Sequence, residues 1–312
     1  MIIKQLSHNY KFDPFHAFNF TPYEGDLKGI TLYYGIFSEK LVNKSDTNIK
    51  VLFFVEWPNS LYGTAFDILF IVENFDYIFT ICPYTNKFLN MKYKVNKFKD
   101  IFFPVELDKL PVIKENKPMP LIYTGHNFTQ VSAIKMIYEI LDKTIGKSTY
   151  AQLIVPMQQT SIHGYYEKMN LLSNTKIALI HNVLQPLKKL YAGDPLFSDS
   201  IANIYLPWHN IEGDKEVPQI KSRMFEASIM KCIMLVYKDD YNLIESYFSE
   251  GVDFIYFSSV EEALNIINNV LNHYDKYKHI AENAYKKTLE KYTTKAFIKY
   301  IRDTIKLERD LP

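Results

Sequence analysis

Hydrophobic and polar positions along this chain are grouped in blocks. Short apolar runs recur at Ile30–Phe37, Ile49–Val55, Tyr77–Ile81, Leu121–Thr124, Gln152–Val155, Ile177–His181 and Cys232–Tyr237. Runs without a polar alternate face are expected of parallel strands covered on both sides. Ile2–Leu6 and Ile101–Pro104 read as two further strands. Between the runs lie stretches of helical period near Ala65–Glu73, Val131–Leu141 and Tyr165–Leu172, with another helix beginning near Pro186. The clearest stripe is Val260, Ala263, Leu264, Ile267, Val270, Leu271 and Tyr274. It follows Ser258-Ser259, which with Glu261 or Glu262 forms a capping box. Two more helical patterns, about 275–290 and 294–307, finish the chain.

Alternating strands and helices predict an α/β fold, with parallel sheets and helices on both faces. Pro104, Pro111, Pro118 and Pro120 cluster with charged residues and mark a linker. The expected organisation is two Rossmann-like domains facing each other across a cleft, the first over residues 1–112 and the second over 118–290. Ligands of open parallel sheets bind outside the carboxyl ends of the strands. That rule points to Glu56 and Asn59, Tyr84 and Thr85, Gly125 to Asn127, and His181 with Asn182.

The stretch that organises the rest is Val217–Tyr237, which predicts a helix opened by Pro218 and then a short buried strand. Met224, Phe225, Ala227, Ile229 and Met230 spread around nearly the whole helix circumference, and a helix apolar all round is buried. Glu226 lies among them, so its carboxylate needs a partner. Two are open: Arg223 one turn earlier, or a ligand group brought from outside. At the helix start, free N–H groups and the helix dipole suit a diphosphate, with Lys221 or Arg223 supplying charge and Ser222 adjoining them.

Composition narrows the function classes. A net charge of +1 offers no general grip on nucleic acid. The only two cysteines, Cys82 and Cys232, sit inside apolar runs and read as buried free thiols of a reducing compartment. Met1 to Leu6 lacks the long apolar segment of a signal peptide, and Phe66–Cys82 is interrupted by Asp67, Glu73, Asn74 and Asp76. The expectation is a cytoplasmic protein with no transmembrane segment. No Asp-x-Asp pair, Gly-x-Gly-x-x-Gly, P-loop, Gly-x-Ser-x-Gly or His-Glu-x-x-His occurs, and the eight histidines lack metal-ligand spacing. Nicotinamide enzymes, P-loop NTPases, serine hydrolases and zinc proteases are therefore not expected.

Arg223-x-Phe225-Glu226-Ala227, the strand that follows and Tyr247–Phe254 resemble the C-terminal domain of GT-B glycosyltransferases. The likeness is nearest to the spore-maturation-type group, family 1/4-like, and is specific over about 217–257. It implies a hexosyl-type transferase that moves a sugar from a nucleotide-sugar donor to a glycan or other hydroxyl acceptor. It implies no metal or other cofactor and retention of configuration, with residues 291–312 packing back on the first domain. The matching glutamate, Glu226, would hold the donor ribose; Arg223, Lys221, Ser222, Gly125, His126 and Asn182 would complete the donor site. Glu56 and His181 stand as candidate catalytic groups. One departure stands out: many retaining members carry an acid eight positions before this glutamate, and here that position is Pro218. Glu216 and Asp214 lie near it out of register. The competing reading is a catalytically silent nucleotide- or sugar-binding module of the same fold.

Overall fold

The computed structural model describes residues 2–5, 29–34, 47–54, 68–125, 132–144, 165–184 and 216–309. The first domain is a five-stranded parallel sheet in the order β1 (Ile2–Gln5), β2 (Ile30–Tyr34), β3 (Ile49–Phe54), β4 (Tyr77–Thr80), β5 (Phe98–Asp100). Helix α1 (Ile68–Asn74) precedes β4, and α2 (Pro83–Tyr93) leads from β4 to β5. The strands are continuous apolar runs because both faces are covered: Leu32, Val51, Leu52, Phe53, Ile78 and Phe79 are all fully buried.

The second domain is a four-stranded parallel sheet ordered β6 (Met119–Ile122), β7 (Thr175–Ile180), β10 (Ile233–Tyr237), β11 (Phe254–Phe257). Its helices are α3 (Ser132–Thr144), α4 (Tyr165–Ser173), α5 (Ser222–Ile229), α6 (Val260–Asn272) and α7 (Tyr274–Lys291). At the start of α6, Ser259 Oγ accepts from the Glu262 N–H at 3.1 Å, and the Glu262 carboxylate accepts from the Ser258 N–H at 2.7 Å. The box therefore closes one residue earlier than the standard motif.

Two expectations are corrected here. The helix does not open at Pro218: Val217–Pro218 is a short strand, β9, antiparallel to β8 (Val183–Leu184), and α5 begins at Ser222. Proline lacks an N–H and suits a strand edge as well as a first helical turn. The extended form wins because neighbouring carbonyls take the N–H groups that follow, Gln219 donating to Asn182 O at 2.7 Å and Ile220 to Ile81 O at 3.4 Å. Ile101–Pro104 is not a strand either, since β5 ends at Asp100. That apolar run is buried because it turns toward the second domain, where the Tyr247 hydroxyl donates to Ile101 O at 3.0 Å. Gln152–Val155 and the helix near Pro186 lie outside the described residues.

Final helix α8 (Thr294–Arg309) lies against the first sheet, with the Phe297 ring 5.0 Å from Phe53 and the Tyr300 ring 6.2 Å from Phe79. Val105 and Thr293 form a backbone bridge where the two chain crossings meet. Phe102 packs on both sides of this junction, touching Phe297 at 5.8 Å and Phe225 of α5 at 6.2 Å.

Lys117 ties the linker to the second domain. Only 4% exposed, its ammonium donates to Leu172 O (3.4 Å), Ser173 O (3.1 Å) and Met230 O (2.7 Å). These carbonyls close the C-termini of α4 and α5, where a cation meets the negative ends of two helix dipoles. Burial lowers the Lys117 pKa, which offsets part of that gain. We expect Lys117→Met to cost about 2–3 kcal/mol in urea unfolding, the effect of leaving buried carbonyls unpaired. Unchanged stability would mean that the carbonyls find other partners.

Candidate functional site

Helix α5 positions the site. Met224, Phe225, Ala227, Ile229 and Met230 are at most 1% exposed, and Ser228 shares a 2.7 Å hydrogen bond with Thr288 of α7. The helix is thus held on all sides while its N-terminus stays open. Lys221 occupies the N-cap position with extended backbone and no capping side chain, and no acidic residue lies in the first turn. Instead Asn182, at the end of β7, receives the Lys221 N–H on Oδ1 at 3.2 Å. Asn182 is fully buried, and among the described residues its Nδ2 has no hydrogen-bond partner. An unmet buried donor at an open helix start is a place for an acceptor.

Two cations face this end. Lys221 Nζ donates to Gln219 Oε1, itself buried. Arg223 Nη1 donates to the Tyr123 hydroxyl at 2.9 Å, with its guanidinium 4.9 Å from the Tyr123 ring centre. Among the described residues neither makes a salt bridge. Burial, and then the charge of Arg223, hold the Lys221 pKa well below its ordinary value. Gly125 is required by this arrangement, since a Cβ there would lie 2.7 Å from both Arg223 Nη2 and Tyr123 Oη. The sequence pointed to Gly125 as room for a phosphate; the structure fills that room with the guanidinium.

His181 is internal to the same cluster. Its Nδ1 lies 3.0 Å from Val183 O, which can only accept, so Nδ1 carries the proton. Nε2 then accepts from the Tyr123 hydroxyl at 2.9 Å, and that hydroxyl accepts from Arg223. Burial, then the charges of Arg223 and Lys221, push the His181 pKa well below its ordinary value. The ring is neutral, and both nitrogens are engaged.

Glu226, 3% exposed, does not pair with Arg223, the partner expected on its own helix. Its Oε1 accepts from Lys168 Nζ of α4 at 2.6 Å, while Arg223 is drawn away by Tyr123. Sequence reasoning missed Lys168, which lies 58 positions away; its one signal was a cation in a helix that must pack beside α5. Glu216 is also committed, its Oε1 accepting the Ala133 N–H in the first turn of α3 at 3.1 Å. Asp239, pushed up to about 6 by burial, caps the turn after β10 through the N–H groups of Tyr241 and Asn242. Glu56, Asn59, His126, Asn127 and Asp214 lie outside the described residues. Among those described, no cluster of three metal-ligating side chains occurs. No described helix is long and apolar enough to cross a membrane.

Residues 160–303 match the family described as glycosyl transferase-like. The fold matches solved structures at low identity. HepE of Anabaena in complex with UDP-glucose superposes at a TM-score of 0.53 and 9% identity, covering 89% of this chain and 78% of that one. A point mutant of S. aureus TarM, in complex with fondaparinux, alpha-GlcNAc-glycerol and UDP, gives 0.51 and 12%, covering 91% and 57%. The fold is GT-B. A glycosyltransferase from Rickettsia africae gives 0.50 at 10% identity, covering 94% and 83%. The chain spans 57% of the TarM chains it matches, and a search of curated proteins finds no significant match. On the GT-B frame, α5, the end of β7 and Gly125 meet at the carboxyl edge of the second sheet, where the switch-point rule places a ligand.

The depressed Lys221 pKa yields a signed expectation. A bound anion favours the ammonium form, so the pKa rises on binding and a proton is taken up between the two values. Pyrophosphate affinity should therefore fall as pH rises through the range between the depressed Lys221 value and the ordinary lysine value, and Lys221→Met should flatten that slope. Calorimetry across this pH range checks it; a wild-type slope equal to that of the mutant would show that Lys221 does not meet the anion.

Proposed function

We propose that the protein is a nucleotide-sugar-dependent glycosyltransferase of the hexosyltransferase type. A donor held by the second domain gives its sugar to an acceptor hydroxyl, on a glycan or another molecule, presented from the first domain. The reaction is read as metal-independent and retaining, in keeping with the sequence resemblance. One observation carries the reading: an open helix start flanked by Lys221, Arg223 and the unpartnered Asn182 amide, with no salt bridge to either cation among the described residues. Such a place binds a diphosphate and stabilises it as a leaving group without a metal. Glu226, one turn further in, is read as the acceptor for ribose hydroxyls, since a carboxylate accepting one ammonium still has lone pairs to offer. HepE and TarM, bound to UDP-glucose and UDP in their solved structures, support a uridine nucleotide as the first donor to test.

A catalytically silent binding module is the second reading. It is favoured by Pro218 standing where many retaining relatives carry an acid, and by Glu216 being spent on the start of α3. Transfer or slow hydrolysis of a nucleotide sugar separates the two.

Three outcomes test the proposal. In a thermal-shift screen of UDP-, GDP-, CMP- and dTDP-sugars, one donor at a hundred times its Kd should stabilise the protein by about 2.7 kcal/mol. No stabilisation by any of them would end the donor reading. Glu226→Gln should weaken that donor by about 1.5–3 kcal/mol, the range for a hydrogen bond to a charged group. Unchanged affinity would remove Glu226 from the site. Donor hydrolysis should survive excess EDTA; loss restored only by Mn²⁺ or Mg²⁺ would overturn metal independence.

A further inference from the structure

Glu226 and Arg223 sit three positions apart on one helix, close enough to pair with each other. In the structure they do not. Tyr123 holds the guanidinium by a 2.9 Å hydrogen bond and by its ring face. Lys168 reaches from α4 to the carboxylate at 2.6 Å, with the lysine side chain 30% exposed and the glutamate side chain 4%. Two helices and a strand end thus keep apart a pair that helix spacing would otherwise bring together. A buried carboxylate without Lys168 would be uncompensated, and the nearest cation on its own helix is Arg223.

We propose that Lys168 is a positioning residue that sorts the charges of the donor site. By neutralising Glu226 it fixes the carboxylate as a ribose acceptor, and it leaves Arg223, held only by Tyr123, without a carboxylate to compete with the diphosphate. Lys168 acts through Glu226 and does not itself grip the nucleotide. This rests on the donor reading given above, and two predictions set it apart from a merely structural role. Losing the ammonium weakens recognition of the ribose hydroxyls specifically, because the carboxylate is no longer held. It also weakens diphosphate binding, because Glu226 recruits Arg223. Arginine in place of Lys168 preserves both, since it carries the same charge to the same carboxylate.

The test uses the full chain and the tightest binder among UDP, GDP, CDP and dTDP, together with its analogue lacking the ribose hydroxyls. Calorimetry measures both ligands on wild type, K168M, K168R, E226Q and the K168M/E226Q double variant. Wild type should prefer the hydroxylated nucleotide at least about tenfold, a factor worth about 1.4 kcal/mol. K168M should lose that preference and bind the nucleotide at least about tenfold more weakly, while K168R retains both. In the E226Q background, K168M should add little, because both changes break one unit. A K168M protein that keeps the preference overturns the proposal, as does a K168M effect that adds fully to that of E226Q, which would place Lys168 directly on the ligand. If wild type shows no ribose preference, the ribose reading of Glu226 itself fails, and the charge-sorting role fails with it. Melting of each unliganded variant keeps the comparison to folded protein, and K168R supplies a folded control.

Discussion

Everything at the carboxyl edge of the second sheet depends on one short helix whose start is left uncapped. A capping side chain at Lys221, or an acid in the first turn, would have closed α5 upon itself. Asn182 instead serves one of the orphan donors from outside, and among the described residues two cations stand beside them without a salt bridge. Burial first, and then the neighbouring positive charge, hold the Lys221 and His181 pKa values well below their ordinary values. The fold tolerates this arrangement because the remainder of α5 is packed on every side by α4, α7, β7 and β10. A cluster of like charges that an anion would relieve is the electrostatic signature of a binding site.

The aromatic content of the chain serves the junction between the sheets. Phe225 immediately precedes Glu226 on α5 and contacts Phe102, Tyr247, Phe248 and Tyr292 at 5.0 to 6.2 Å between ring centres. Phe102 in turn meets Phe297 and Tyr300 of α8, which rest on the first sheet through Phe53 and Phe79. One aromatic chain therefore runs from the first sheet to the residue before Glu226. Any rotation of one domain on the other must repack these rings, so a change in cleft geometry is felt at α5. Pairing of Val105 with Thr293 keeps both crossings together at this point, next to the rings.

Much of this was legible in sequence, and the reasons for success and failure are physical. Strands β3, β4, β7 and β10 announce themselves as apolar runs because parallel strands are covered on both faces. The buried circumference of α5 follows from helical spacing alone. Pro218 misled because a residue without an N–H fits both a helix start and a strand edge; only the carbonyls of Asn182 and Ile81, distant in sequence, decide between them. Ile101–Pro104 misled because burial at an interdomain crossing produces the same apolar run as burial in a sheet. The partner of Glu226 was illegible because helix spacing lists only neighbours three and four positions away, and Lys168 comes from another helix.

Tyr123 gives the site its polarity, and nothing in its local sequence marks it. Its hydroxyl is a single group that accepts from Arg223 and donates to His181, so the direction of each hydrogen bond dictates the next. Because Val183 O can only accept, His181 must carry its proton on Nδ1, leaving Nε2 to take the Tyr123 proton. The Tyr123 lone pairs are then free for Arg223, and the guanidinium is aimed over Gly125, the position whose missing side chain makes room for it. A histidine with both nitrogens engaged and its pKa depressed is not poised to take a proton from an acceptor hydroxyl. Its work is to set the tautomer at one end of a chain whose other end is a cation. What these described residues offer an anion at this edge is therefore positive charge and hydrogen-bond donors, not a base.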